Sequence, residues 1–178
     1  MKGNSTFIIG GARSGKSGYA LELGSNIPGR KGFIATAEAF DEEMKERITL
    51  HQKTRSSEWA SEWETIEEPV DIAKRLLEIA GLYDVVIVDC LTLWLSNMLC
   101  REEDSEHIKT EIEHLTSVLR EITCKVIIVS NEVGLGIVPE NRMARLFRDL
   151  GGWMNQKVAS ASDEVYLVTC GIPMKIKG

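Results

Sequence analysis

Residues 10–17 read Gly-Gly-Ala-Arg-Ser-Gly-Lys-Ser and fill every fixed position of the pattern G-x-x-x-x-G-K-[ST]. The short apolar run Phe7-Ile8-Ile9 precedes them, and a stretch of helical character, Tyr19 to Leu23, follows. That order dictates a strand, a tight glycine turn and a helix. Glycines let successive backbone N–H groups curl round a polyphosphate, and the helix presents its positive N-terminus to it. Lys16 then neutralises the β/γ oxygens, and Ser17 offers a hydroxyl to Mg²⁺. The bland alternative is a glycine-rich turn with no ligand, which the strand–helix setting disfavours.

Four more apolar, β-branched runs stand out beside Thr6–Ile9: Gly32–Thr36, Val85–Asp89, Val126–Ser130 and Val165–Thr169. They lack polar alternation, as strands of a parallel sheet covered on both faces do. Helical segments separate them. Asp41 caps one, with Glu42 and Glu43 complementing the dipole of its first turn. Pro69 suits the first position of another, which Gly81 closes. Ile108, Ile112, Leu115, Leu119 and Ile122 keep helical spacing, as do Met143, Leu146, Phe147, Leu150, Trp153, Met154, Val158 and Ala161. A doubly wound α/β sheet in one domain, residues 1–178, is the expectation. The tail Val165–Ile176, folded about Gly171-Ile172-Pro173, predicts a hairpin at a sheet edge. The repeated Ser-Glu-Trp of residues 57–59 and 61–63, with the acidic stretch to Glu68, reads as a surface connection.

Charge narrows the partners. With 27 acidic against 21 basic residues the formal net charge is −6, the wrong sign for a nucleic-acid-binding face. No apolar run approaches a membrane span, and Met1-Lys2-Gly3-Asn4 leads straight into a strand, so no signal peptide is expected. The four cysteines, Cys90, Cys100, Cys124 and Cys170, show no C-x-x-C spacing. Reduced thiols in a cytoplasmic protein without a zinc site are expected.

Open α/β sheets bind ligands outside the carboxyl ends of their strands. Val85-Val86-Ile87-Val88-Asp89 has the Walker B form, four apolar residues and an acid that holds Mg²⁺; a plain strand-end turn residue is the alternative. Val126–Ser130 leads to Asn131-Glu132 at the same edge. Glu132 could act as a general base, sit behind the metal, or be merely exposed. His51 shares a helical line with Arg47 and Arg55, at i−4 and i+4. Two arginines flanking an imidazole suit a group that meets phosphate better than a core histidine. A free imidazole with a pKa of ~6.5 keeps its nucleophilic form near neutrality. A surface or packing histidine stays open, and His107 and His114 read as solvated. Arg145 and Arg148, in the Arg142, Arg145, Arg148 series, could grip an anion or line a solvated face beside Asp149.

Several segments together resemble the bifunctional adenosylcobinamide kinase/adenosylcobinamide-phosphate guanylyltransferase family of cobalamin biosynthesis. They are residues 10–17, Ile34-Ala35-Thr36, Asp41-Glu42-Glu43-Met44, Arg47-Ile48 with His51, and Thr65-Ile66-Glu67-Glu68-Pro69. Further on come Asp89-Cys90-Leu91-Thr92-Leu93-Trp94 with Asn97, the stretch Ser130 to Asn141, Phe147-Arg148-Asp149, Asn155-Gln156 and Ala161 to Val165. The stretch from Asn131 to Asn141 is far more specific to the family than the phosphate loop. The chain departs from the family at Ser56, where a proline commonly stands, and in the Ser57–Trp63 duplication, which lengthens the connection before Glu67.

The resemblance implies two reactions. ATP or GTP phosphorylates the aminopropanol hydroxyl of adenosylcobinamide; GTP then guanylylates a histidine, and adenosylcobinamide phosphate takes the GMP to give adenosylcobinamide-GDP. The family's histidine maps onto His51. Its nucleotide contacts map onto Gly10, Gly11, Ala12, Arg13, Ser14, Gly15, Lys16, Ser17, Ile34, Ala35, Thr36, Gln52, Lys53, Thr54, Arg55, Glu67 and Asp89. A P-loop NTPase sheet of RecA type, mostly parallel with helices on both faces, and a homotrimer are implied as well. The rival enzyme is a small-molecule P-loop kinase without guanylyl transfer, in which His51 only contacts phosphate. A GTP-dependent switch is disfavoured because no Asn-Lys-x-Asp guanine-reading motif exists, and Asp149-x-x-Gly152 lies inside a helical pattern.

Overall fold

A computed structural model describes residues 4–38, 62–101 and 104–178. The elements run β1 (Ser5–Gly10), α1 (Lys16–Ser25), β2 (Lys31–Ala35), β3 (Trp63–Glu67), α2 (Ile72–Ile79) and β4 (Val85–Asp89). They continue with α3 (Leu91–Cys100), α4 (Ser105–Glu121), β5 (Lys125–Asn131), α5 (Arg142–Ala161), β6 (Glu164–Thr169) and β7 (Ile172–Lys177). One sheet carries the strands in the order β3-β2-β4-β5-β1-β6-β7. Every pairing from β3 to β6 is parallel. Among the described residues only β7 is antiparallel, against β6, which makes the C-terminal edge hairpin the sequence predicts.

Strand side chains alternate between two cores. Phe7, Ile34, Val86, Val88, Val126 and Ile128 meet α2, α3, α4 and α5 on one face. Ile8, Phe33, Val85, Ile87, Ile127 and Val129 meet α1 on the other. The inner strands are therefore buried on both faces, and helices cover both.

Two local expectations are corrected and one element is added. The acidic connection contains a strand: Trp63 opens β3, stacks edge-on against Phe33, and comes so near α1 that a Cβ at Gly24 would lie 2.6 Å from its ring. Pro69 does not start α2. The Glu68 carboxylate accepts the N–H groups of Val70 and Asp71, and the helix begins at Ile72. The added element is α3, which no pattern in the sequence marks. Nearly all of it is buried, so it shows no polar stripe for a periodicity argument to find.

Candidate active site

Parallel pairing brings the carboxyl ends of β1 to β6 to one edge. Register sets Gly10 beside Asn131, and Ala35 beside both Asp89 and Glu67. One strand, β5, separates the phosphate-loop strand from the strand that ends in Asp89. Glu67 is exposed at the end of β3, four strands from β1 and on the order of 19 Å across the sheet.

The glycine loop leaves β1 and enters α1. Gly15 adopts φ 97°, left-handed backbone that glycine takes without strain, immediately before the first helical residue, Lys16. The first-turn N–H groups of α1 are thereby presented at the sheet edge, as an anion requires. Lys16 is largely buried, and its ammonium donates to the Gly11 carbonyl at 2.9 Å. Burial holds its pKa below the ordinary value, and the negative charge of the nearby Asp89 opposes that shift. Lys16 and the β4 acid thus share one electrostatic environment. Ser17 lies half-buried in the same turn, and Gly11, Ala12, Arg13 and Gly15 are exposed around it.

The C-terminal hairpin supports this loop from the side. The Gly171 N–H donates to the Ser14 carbonyl at 2.8 Å. A Cβ on Gly15 would lie 3.1 Å from the Gly171 Cα, and one on Gly10 would lie 2.3 Å from the Val168 carbonyl oxygen. Glycine at 10 is therefore required by strand packing as much as by phosphate. The Ser14 hydroxyl is buried there without a hydrogen-bond partner among the described residues.

A second set of bonds fixes the Asp89 end. The Thr36 hydroxyl donates to the Cys90 carbonyl at 2.7 Å and accepts the Cys90 N–H at 2.8 Å. The Asn97 amide donates to the carbonyls of Thr36, at 2.7 Å, and Pro69, at 2.9 Å. The Trp94 indole N–H reaches the Val70 carbonyl. Helix α3 therefore locks together the ends of β2 and β4 and the turn after β3. Burial pushes the Cys90 thiol up to about 12, so it stays a neutral packing group beside the acid.

Buried polar groups also steady β5. The Ser130 hydroxyl donates to the Asn155 Oδ1 at 2.8 Å, and the Asn155 amide donates to the Asn131 carbonyl. The Asn131 N–H donates to the Thr92 hydroxyl at 2.7 Å. Thr92, Asn97 and Asn155 had no individual role in the sequence reading. Thr92 carries a signal as a lone polar residue among Leu91, Leu93, Trp94 and Leu95, whereas Asn97 and Asn155 stand beside Ser96 and Gln156 and carry none.

Of the expected nucleotide contacts, residues 10–17, Thr36, Glu67 and Asp89 come to the sheet edge. Ile34 is wholly buried in the core, and the hydroxyl of Thr36 is committed to Cys90. His51, Gln52, Lys53, Thr54 and Arg55, with the helix expected from Asp41, lie outside the described residues. Glu132 donates its N–H to the Gly10 carbonyl, and its carboxylate accepts the Gly134 N–H. Arg145 holds the carbonyls of Pro139 and Glu140, while Arg148 pairs with Asp149 at 3.3 Å. These two arginines thus have structural partners of their own.

Comparison with known proteins agrees with this geometry. Residues 6–176 match a family model described as cobinamide kinase / cobinamide phosphate guanyltransferase. The chain is 40% identical over 171 residues to the bifunctional adenosylcobalamin biosynthesis protein CobP of Pseudomonas aeruginosa, covering 96% of each protein. It is 39% identical to the CobU protein of Salmonella typhimurium, covering 96% of this chain and 98% of that one. Among solved structures, the flagellar accessory protein FlaH of Methanocaldococcus jannaschii is similar, with a TM-score of 0.55 at 14% identity over 99% of this chain and 79% of that one. The KaiC-like protein PH0186 of Pyrococcus horikoshii gives 0.52 at 11% identity, over 93% of this chain and 71% of that one. At such identities these two speak for the fold alone, which is the P-loop, RecA-like one.

Proposed function

Since the chain belongs to the cobinamide kinase / cobinamide phosphate guanyltransferase family, we infer that its single sheet edge serves two successive group transfers on a corrinoid. In the first, the aminopropanol hydroxyl of adenosylcobinamide attacks the γ-phosphorus of ATP or GTP. The hydroxyl proton is lost and the nucleoside diphosphate leaves. In the second, a nitrogen of His51 attacks the α-phosphorus of GTP and pyrophosphate leaves. A phosphate oxygen of adenosylcobinamide phosphate then attacks that phosphorus, the P–N bond breaks, and adenosylcobinamide-GDP forms. The observation that carries this reading is the family match across residues 6–176.

The residues divide accordingly. Lys16 and the N–H groups of the loop hold the polyphosphate in both transfers and offset charge on its oxygens. Glu67 ends β3, two strands beyond the Asp89 strand, and a nucleotide contact there belongs to the same proposal. Ser17 and Asp89 offer a hydroxyl and a carboxylate, the hard oxygen donors that Mg²⁺ takes. No cluster of three or more His, Cys, Asp or Glu side chains is built for a metal among the described residues. That donor set suits a cation whose remaining ligands are nucleotide phosphates and water. When bound, the ion would neutralise charge that develops on the phosphate oxygens. A homotrimer and a cytoplasmic location belong to the same proposal. No helix among the described residues is long and apolar enough to cross a membrane.

Intact-mass measurement after incubation with GTP tests the proposal directly. An acid-labile GMP adduct should form, and adenosylcobinamide phosphate should discharge it. His51→Ala should abolish the adduct while leaving phosphorylation measurable, and Lys16→Ala should abolish both transfers. A wild-type protein that phosphorylates adenosylcobinamide yet never carries GMP would be the ordinary small-molecule kinase.

A further inference from the structure

Thr36 stands at the ligand edge of the sheet yet is wholly enclosed. It follows β2, one residue beyond the register pair Ala35 and Asp89, and its exposure is 0%. All three of its hydrogen-bonding groups have partners inside the protein. The backbone N–H donates to the Asp89 carbonyl at 3.2 Å. The hydroxyl accepts the Cys90 N–H at 2.8 Å and donates to the Cys90 carbonyl at 2.7 Å. The backbone carbonyl accepts the Asn97 amide at 2.7 Å. A hydroxyl has one hydrogen to give, and Cys90 takes it.

The Asp89 carbonyl and the Cys90 N–H are the two polar groups of one peptide unit. Thr36 holds both, and the next carbonyl as well, so the backbone that bears the Asp89 carboxylate is fixed. A ring of bonds closes through α3. The chain runs from Cys90 straight into Leu91–Cys100, and Asn97, 2% exposed, returns to the Thr36 carbonyl while also donating to Pro69 at 2.9 Å. Buried polar groups that satisfy one another in this way make a site rigid.

We propose that Thr36 is a positioning residue: it acts through Asp89, holding that backbone so that the acid is preorganised for Mg²⁺, and does not touch the nucleotide. The assignment rests on the functional reading above, in which Asp89 offers the ion a carboxylate. It departs from the nucleotide contact that the family resemblance implies at this position. A donor fixed in place before its ligand arrives loses less freedom on binding. Partners behind a metal ligand accordingly change metal affinity by about 10–100-fold. Asn97 acts one step further back, by holding Thr36.

The test separates metal from nucleotide. Thr36→Val keeps the shape and loses both hydroxyl bonds to Cys90, whereas Thr36→Ser keeps the hydroxyl. Mn²⁺ is the probe ion, its free form counted by electron paramagnetic resonance with the protein saturated by the β,γ-imido analogue of ATP. Affinity for the analogue alone is measured by calorimetry in EDTA. Thr36→Val should raise the Mn²⁺ dissociation constant about tenfold or more, and Thr36→Ser should bring it back close to wild type. Affinity for the analogue in EDTA should be the same in all three proteins. A Mn²⁺ constant unchanged in Thr36→Val, or not restored in Thr36→Ser, would overturn the assignment. So would weaker binding of the analogue to Thr36→Val in EDTA, which would mean a direct contact. Should Thr36→Val not fold, Asn97→Ala is judged by the same two constants. Asp89→Asn keeps this outcome apart from failure of the functional reading. If that variant binds Mn²⁺ as tightly as wild type, Asp89 is no metal ligand, and the metal site falls first and takes the Thr36 assignment with it.

Discussion

A single missing Cβ decides how closely the phosphate loop and the C-terminal hairpin approach. At Gly10 a methyl group would meet a backbone carbonyl, which cannot rotate away, whereas at Gly11 nothing stands within 4 Å. Gly10→Ala should therefore destabilise the fold by about 1–3 kcal/mol, the range for overpacking a filled site. Gly11→Ala should cost less, and urea unfolding of the two variants compares them. Equal losses would mean that both glycines serve only backbone conformation. The division was not legible in the sequence. The motif marks both glycines alike, and the carbonyl of Val168 comes from a strand more than a hundred residues away.

Among the elements, the hairpin β6–β7 is held by charge as well as by its ladder. Glu164 pairs with Lys175 at 2.7 Å and accepts the Thr6 hydroxyl at 3.2 Å. The hydrogen bond from Lys175 is the main cause holding the Glu164 carboxyl below its ordinary 4.5, against a smaller opposing effect of burial. A depressed carboxyl contributes stability that is full above 4.5 and disappears as pH falls through its folded value. Wild type should accordingly lose stability on acidification below 4.5 more steeply than Glu164→Gln. Denaturant midpoints across that window provide the comparison, and parallel slopes would rule the pair out as a contributor. The strands themselves were readable where both faces are buried, because β-branched runs such as Val85–Val88 have few other uses. β3 was not, since in Trp-Glu-Thr-Ile-Glu only Trp63 is fully inside. α3 escaped for the opposite reason, being buried nearly all round. The start of α2 was displaced because Trp94 and Asn97, on α3, hold the carbonyls of Val70 and Pro69 in the preceding turn. No local propensity reports such a tie.

On the scale of the molecule, the sheet places Lys16, Asn131 and Asp89 at the ends of neighbouring strands, or in the turn that follows one. The order β4-β5-β1 follows from strand–helix alternation only once crossovers are placed. The phosphate loop and the β4 acid were visible as sequence, but their shared edge was a deduction from fold class. A ligand that binds only the folded edge raises stability by mass action. GTP with Mg²⁺ at about a hundred times its dissociation constant should lift the melting temperature of wild type by roughly 5–10 °C. Lys16→Ala should show little shift, and a full shift in that variant would place the nucleotide elsewhere.

The bond from Gly171 to Ser14 joins a late stretch of the polypeptide to an early one. During synthesis the P-loop emerges long before the turn that braces it. A nascent chain released or cleaved ahead of residue 171 would carry every letter of the motif yet lack the brace, so nucleotide affinity should mature only once residue 171 has been made and folded back.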